Sequence, residues 1–362
     1  MERQNSITLE GITNFLEAGA LLRHRNQWIL IEGPFTAAES PNSVEISVFC
    51  PDFYDLTKPS LWSGKAVHKL SSEDLRQICE AYLSKEASIV EPLAKTSWAE
   101  PRKEDFAEAL RVIQTRIQKN EIQKAVPAVF ARAAQSVAAH DRAVMILQLL
   151  QAPPTLYVYG FWQQGEGLLG ATPEVLFDYS QGILQTMALA GTCPKSESTE
   201  RESLLKDPKE MLEHQLVVED ISKLLGQWGK VEAQGPHILE LPILYHLKTD
   251  IQVHCQTRPD FVALAKSLHP TPALGVAPRS QGYLWMQSLP GQEGRRYFGG
   301  PFAFMNAEEA LCLVAIRNLQ WSKDSAMIGS GCGVVAASEL EREWRELYQK
   351  RLSVKKVLGL EV

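Results

Sequence analysis

The chain has 362 residues, 45% hydrophobic and 22% charged, the make-up of a globular protein able to bury a large core. Its net charge of -6 offers no basic surface for nucleic acid or an anionic membrane, and no apolar run is long enough to span a bilayer. Cys50, Cys79, Cys193, Cys255, Cys312 and Cys332 are scattered without a C-x-x-C, and the first six residues lack the basic-then-apolar layout of a signal peptide; reduced thiols in a cytoplasmic protein are expected.

Residues 1–70 read as short strands and turns. Trp28–Ile31 and Val44–Phe49 are β-branched or aromatic runs, with turns at Gly33-Pro34 and Pro41-Asn42. Ser71-Ser72-Glu73-Asp74 predicts a helix start, with the helix running through Tyr82. The polar stretch 83–101, with Pro92 and Pro101, divides a β-rich part (1–100) from the remainder (101–362). Phe106, Leu110, Ile113 and Ile117 predict an amphipathic helix over 103–120. Strands are expected at 155–161, 175–177, 183–189 and 310–316, and helices near 138–150, 200–227, 258–267 and 336–358. The strands come as hairpin-like neighbours without strand–helix alternation. That predicts an α+β fold with antiparallel sheets, not a doubly wound one.

Two acidic pairs share a spacing. Glu210 and Glu213, and far away Glu343 and Glu346, each lie three residues apart in a predicted helix, on one face. A lone pair of this kind is ordinarily a solvated helix face. Two facing helices that each present two carboxylates instead make an oxygen-rich site for a hard divalent cation such as Mg²⁺, bridging to an anionic substrate. Arg317 sits in an apolar predicted strand, so it needs either a structural partner or a substrate carboxylate. Gly329-Ser-Gly331-Cys-Gly333 suits a tight strand-to-helix turn or close backbone approach to an anion. Tyr297-Phe-Gly-Gly allows the same two readings. His269, before Pro-Thr-Pro, reads alone as a structural histidine. The H-E-x-x-H, G-x-S-x-G and phosphate-loop patterns are absent.

Taken in order, these pieces resemble the chorismate-utilising enzymes, from about residue 103 to the C-terminus. The motifs are Gly170-Ala-Thr-Pro-Glu174, Leu189-Ala-Gly-Thr192, Lys209-Glu-Met-Leu-Glu-His214 and Tyr245-His-Leu-Lys-Thr249. They continue with Leu268-His-Pro-Thr-Pro-Ala273, Arg296-Tyr-Phe-Gly299, Ala315-Ile-Arg317, Gly331-Cys-Gly-Val-Val335 and Glu343-Trp-Arg-Glu346 with Lys350. The resemblance implies one large fold with antiparallel sheets flanked by helices and a deep cleft, acting on chorismate as a monomer or weak homodimer. It implies Mg²⁺ at Glu213 and Glu343, with Glu210 and Glu346 close or water-linked, on the ring carboxylate. It further implies that Arg317 and Tyr297 hold the enolpyruvyl carboxylate. Gly331, Gly333 and Lys350 would hold carboxylates too, and His269 and Thr192 would wall the ring.

Two positions separate the branches. Ala190 stands where aminodeoxychorismate synthases carry a nucleophilic Lys. Lys124 stands where isochorismate and salicylate synthases carry Lys and anthranilate synthases usually Gln. Water needs a base to take its proton, and a partly desolvated Lys can serve. Glu174 matches the family's acid for the departing hydroxyl, a role that requires a raised pKa. The resemblance therefore implies an isochorismate synthase, with water added at C2 and hydroxyl lost from C4, feeding menaquinone or a catecholate siderophore. A salicylate synthase, an aminating synthase and a chorismate-binding protein without turnover stand as alternatives. Departures from the pattern are Val129 for the usual Arg, with Arg132 nearby, Phe302 for a common Gly, and Cys332 for Ala.

Overall fold

The apolar runs of the chain are too many for one sheet to cover, and they fold as two. The computed structural model describes residues 7–24, 27–41, 45–58, 60–85, 92–195, 201–241 and 244–361. Asn42, Val44 and residues 86–91 of the 83–101 boundary lie outside them. Among the described residues there are seven α-helices: α1 (Leu9–Glu17), α2 (Ser72–Lys85), α3 (Lys103–Gln118), α4 (Ala139–Leu149), α5 (Pro208–Leu225), α6 (Phe261–Leu268) and α7 (Leu340–Leu358). None is long and apolar enough to cross a membrane.

An eight-stranded sheet runs in the order Ala66–Leu70, Gln27–Glu32, Gly19–His24, Tyr157–Gln163, Glu166–Thr172, Asn318–Trp321, Ala326–Gly331, Ala128–Ala133. A nine-stranded sheet runs Val231–Glu240, Leu244–His254, Ile183–Pro194, Val175–Ser180, Ala310–Val314, Pro301–Met305, Ser47–Phe49, Leu61–Ser63, Thr36–Ala37. Every neighbour is antiparallel. This is the α+β class that the hairpin-like spacing predicts. Strands from residues 19–70 enter both sheets, so the N-terminal segment is woven into the same unit as the rest.

Alternation along the strands decides what packs where. Ala20, Leu22, Ile31, Tyr159, Phe161 and Leu168 point from the first sheet onto Val48, Phe302, Phe304, Leu311 and Leu313 of the second. Phe302 is fully buried there, its ring 4.9 Å from that of Tyr159, so its bulk fills the space between the sheets. The outer face of the first sheet takes α1, α2, α4 and part of α7; that of the second takes α5 and α6. The result is four layers, helices on sheet on sheet on helices.

α1 departs from the strand-and-turn reading of 1–70. Ile12, Phe15 and Leu16 give it a buried face, and Thr8 caps it by accepting from the Gly11 N–H at 3.1 Å. A nine-residue amphipathic segment between short strands carries too few turns of apolar periodicity to stand out. The Trp162 indole fixes α1 on the sheet, donating to the Phe15 carbonyl at 2.8 Å while its ring meets Phe15 edge-on at 5.1 Å. Trp162→Ala should lower the unfolding free energy by about 3–5 kcal/mol, read from urea denaturation; a loss below about 1 kcal/mol would contradict this anchoring role.

Candidate active site

Two chain crossings build one wall of the cleft. Residues 173–174 carry the chain from Glu166–Thr172 in the first sheet to Val175–Ser180 in the second, and residues 315–317 carry it back from Ala310–Val314 to Asn318–Trp321. The crossings lie side by side, tied by Ala171 N–H to Arg317 O (3.2 Å) and Val314 N–H to Glu174 O (3.1 Å). A Cβ on Gly170 would collide with the Arg317 carbonyl oxygen, which explains the glycine that opens Gly170-Ala-Thr-Pro-Glu174. Arg317 is therefore not in a strand, as its apolar neighbours predict; the strand ends at Val314 and Arg317 sits at a kink with φ 56°. That left-handed turn is costly for a side-chain-bearing residue and is held by the corner around it.

The cavity at this corner is lined by Pro173, Glu174, Ala190, Gly191, Thr192, Glu213, His246, Phe298, Arg317, Gly331, Gly333 and Lys350 among others. Thr192 arrives by a β-bulge: pairing between Ile183–Pro194 and Leu244–His254 slips between Leu189 and Thr192, and Gly191 takes φ 82°. Its N–H donates to Glu210 Oε2 at 2.8 Å. Its hydroxyl lies 2.9 Å from His246 Nδ1, and Arg317 Nη2 lies 3.4 Å from His246 Nε2. A guanidinium only donates, so Nε2 accepts, Nδ1 carries the proton and donates to Thr192, and the Thr192 hydroxyl proton is left for another acceptor. Burial, then the charges of Arg317 and Lys350, hold His246 neutral, well below the usual histidine range. His246 stands in the Tyr245-His-Leu-Lys-Thr249 motif, but its signal, one histidine in a strand, is weak without the fold.

The four acids gather from two helix N-termini. Glu210 lies in the first turn of α5, capped by Asp207, and Glu343 in the first turn of α7, where the helix dipole favours anions. All four are buried, Glu343 completely. Each has a cation. Lys124 Nζ is 3.0 Å from Glu213 Oε1, Arg342 Nη2 is 2.8 Å from Glu210 Oε1, and Lys350 Nζ is 2.6 Å from Glu346 Oε1. Lys209 Nζ stands among the rest, 3.0 Å from Glu343 Oε1, 3.0 Å from Glu210 Oε1 and 3.6 Å from Glu213 Oε2. Sequence reasoning missed Lys209 and Arg342, because each is a surface-type residue on a helix until its partner is known.

Burial alone would raise every one of these carboxyls. Lys124 and Lys209 nonetheless hold Glu213 below the usual range. Burial and the neighbouring acids push Glu210 and Glu343 up. Burial also lowers the Arg317 guanidinium to about 10, still charged at neutral pH. Burial pushes the Glu174 carboxyl up to about 8 against the opposing charges of Lys124, Lys350 and Arg317.

Lys124 is wholly buried on the two-residue strand Lys124–Ala125, clamped between Val276–Ala277 and Val334. Gly333 lies against it. A Cβ there would overlap the Glu213 carboxylate and come within 2.7 Å of Lys124 Cε, so Gly333 is the space in which that ion pair forms.

Among the described residues, no three His, Cys, Asp or Glu side chains are gathered closely enough to hold a metal ion as they stand. The chemistry of the site nevertheless suits a hard cation. Its donors are carboxylate oxygens, and both oxygens of fully buried Glu343 lack any hydrogen-bond partner, with only the Lys209 charge beside them.

Two residues expected in the cleft, His269 against the ring and Tyr297 on the enolpyruvyl carboxylate, lie elsewhere. His269 is buried among Phe53 and Tyr283, its Nε2 2.8 Å from the Phe53 carbonyl and its pKa lowered to about 3 by burial. It braces that aromatic cluster; Ala273 and Leu274 of the same segment line the cleft instead. Tyr297 lines a separate cavity of about 500 Å³ with Cys50, Trp62, Phe161 and Arg296, while its neighbour Phe298 faces the cleft. Arg132 is exposed and donates to the Glu293 carbonyl, so it does not stand in for the arginine missing at Val129. Cys332 is buried in the apolar cluster under α3.

Residues 59–359 match the family described as chorismate binding enzyme. The salicylate biosynthesis isochorismate synthase of Pseudomonas aeruginosa is 31% identical over 199 residues, 53% of this chain and 42% of that protein. The isochorismate synthase MenF of Bacillus subtilis is 27% identical over 269 residues, 71% of this chain and 56% of that protein. The chain thus spans about half the length of the curated relatives it matches. The structure of MenF, the menaquinone-specific isochorismate synthase from Escherichia coli, superposes with a TM-score of 0.77 over 97% of this chain and 91% of that one; at 21% identity this likeness shows the fold.

The raised Glu174 pKa has a signed consequence. An unfolded glutamate titrates near pH ~4.3, whereas this one holds its proton to about 8, so across that window the folded state binds the extra proton. Stability from this group is complete below the unfolded pKa and is lost as pH rises through about 8. Glu174→Gln removes that slope: urea unfolding between about pH 5 and about pH 9 should show the variant gaining steadily on the parent, then levelling. Parallel curves would mean that Glu174 ionises normally.

Proposed function

From the premise that this chain belongs to the chorismate binding enzyme family, we propose that it is an isochorismate synthase, converting chorismate to isochorismate by adding water at C2 and expelling the C4 hydroxyl. The observation that carries this reading is a carboxyl held up to about 8 on the cleft wall, Glu174, with a buried amine, Lys124, close enough to be the first charge acting on it. Acid catalysis near neutral pH needs a carboxyl whose environment keeps its proton on in this way.

In the proposed reaction Lys124, in its deprotonated form, accepts a proton from the attacking water. Glu174, still protonated at neutral pH, gives its proton to the departing hydroxyl, which leaves as water. One water enters and one leaves, so the product is an isomer of the substrate. Arg317, already oriented by Ser353 Oγ at 2.8 Å and by His246, offers its remaining N–H groups to a substrate carboxylate. Gly331 and Gly333 keep side chains out of the cleft, and Lys350 stands beside Gly331 with its Nζ 2.9 Å from that carbonyl. Glu213 and Glu343 would hold Mg²⁺, with Glu210 and Glu346 behind them. When bound, the ion supplies Lewis acidity and positive charge to the ring carboxylate. The absence of a lysine at Ala190, which lines the cleft, supports hydration over the covalent route of the aminodeoxychorismate branch. Isochorismate made here would supply menaquinone or a catecholate siderophore, the roles for which such synthases are needed.

Purified protein given chorismate and Mg²⁺ should form isochorismate, resolved by chromatography. Chorismate left untouched would refute the reading, while salicylate fluorescence with pyruvate release, or anthranilate fluorescence with added ammonia, would move the chain to those branches. Lys124→Gln keeps the bulk beside Glu213 and should lower turnover by about 10²–10⁴-fold. An unchanged rate would remove Lys124 from the role of base.

A further inference from the structure

Lys209 pairs with carboxylates of both helices in the acidic cluster. Its Nζ lies 3.0 Å from Glu210 Oε1 and 3.6 Å from Glu213 Oε2 on α5, and 3.0 Å from Glu343 Oε1 on α7. The side chain is nearly sealed from solvent, at 8% exposure. Of the other three cations, Lys124 pairs with Glu213 and Lys350 with Glu346, while Arg342 is shared between Glu210 and Asp207. Glu343, completely buried, has Lys209 as its only cation within 4 Å among the described residues.

We infer that Lys209 is a tethered counter-ion which a divalent cation must displace, so that metal entry here is an exchange and not a simple filling of a vacant cage. The charges require it. Lys124, Lys209, Arg342 and Lys350 already balance Glu210, Glu213, Glu343 and Glu346 one for one. A dication placed between Glu213 and Glu343 would lie within a few ångströms of the Lys209 ammonium, in a buried setting where like charges repel strongly. Lysine is suited to leaving. It is a point charge on an unbranched stem with three rotatable donors, unlike a forked guanidinium fixed by several bonds. Without metal, Lys209 keeps four buried acids from repelling one another and so holds α5 against α7. With metal, the ion takes over that bridging.

This inference rests on the metal reading of the acidic pairs but not on any turnover of chorismate, and its test uses neither substrate nor activity. Full-length protein is stripped of metal and titrated with Mn²⁺, followed by the loss of the free-ion electron paramagnetic resonance signal, and with Mg²⁺ by calorimetry. Lys209→Met should bind either ion at least about tenfold more tightly than the parent, because no charge is left to expel. Lys209→Arg, which keeps the charge, should bind no more tightly than the parent. The thermal midpoint of stripped Lys209→Met should fall below the parent's, and Mg²⁺ should raise it by more than it raises the parent's. If stripped Lys209→Met does not fold, Lys209→Gln is purified in Mg²⁺ and its affinity measured by competition with a chelator. Equal or weaker metal binding by the neutral variants, or no binding by any form, would overturn the inference. Failure of the chorismate assay with these results intact would count against the proposed reaction alone.

Discussion

Four carboxylates are buried in one place in this protein, and that is tolerable only because four cations stand against them, Lys124 and Lys209 buried with them and Arg342 and Lys350 nearer the surface. An unpaired ionised group in a protein interior costs several kcal/mol, so the acids could not gather on two facing helix ends without Lys124, Lys209, Arg342 and Lys350. The demand propagates outward. Lys124 must be fixed, hence the short clamped strand that carries it; the pair it forms needs room, hence Gly333. The first acid of α5 must be turned inward, hence the bulge that aims the Thr192 N–H at Glu210. Much of the irregular backbone around the cleft can be traced to this charge balance.

The other wall follows a different logic. Glu174 is set where no counter-charge touches it, on a crossing between the two sheets, and Arg317 is set on the neighbouring crossing. A sheet residue points into one core or the other. A residue at a crossing belongs to neither, and its side chain can face a cavity between the layers. Placing Glu174 in partial isolation and Glu213 against Lys124 and Lys209 lets a single cleft hold carboxyl groups with opposite protonation habits.

How much of this was legible beforehand depended on how local the signal was. Helix α3 was readable because Phe106, Leu110 and Ile113 repeat at helical spacing over about two turns, and all three are buried as that spacing requires. The acidic pairs were readable because a helix fixes their common face, and Lys124 and Glu174 because ordered motifs surround them. α1 was not, since nine residues hold too little periodicity. Arg317 was assigned to a strand because an apolar run looks the same whether it continues in one sheet or jumps to another. His269 and Tyr297 were placed by motif order alone. Order along the chain does not say which face of a turn a side chain takes: Phe298, next to Tyr297, is the one in the cleft. Lys209 and His246 owe their positions to partners 134 and 54 residues away, Glu343 and Thr192, and no local pattern announces such a pairing.

The interleaving of early and late strands bears on how the chain is made. Gly19–His24 must wait for Tyr157–Gln163, Ser47–Phe49 for Pro301–Met305, and Ala128–Ala133 for Ala326–Gly331. A nascent chain leaving the ribosome therefore exposes unpaired strand edges until nearly all of it has emerged, and neither sheet can close on local contacts. Such non-local pairing is slow, and open edges invite association with other chains. The same weave that holds the cleft between two sheets makes the final quarter of the sequence the gate through which folding of the whole must pass.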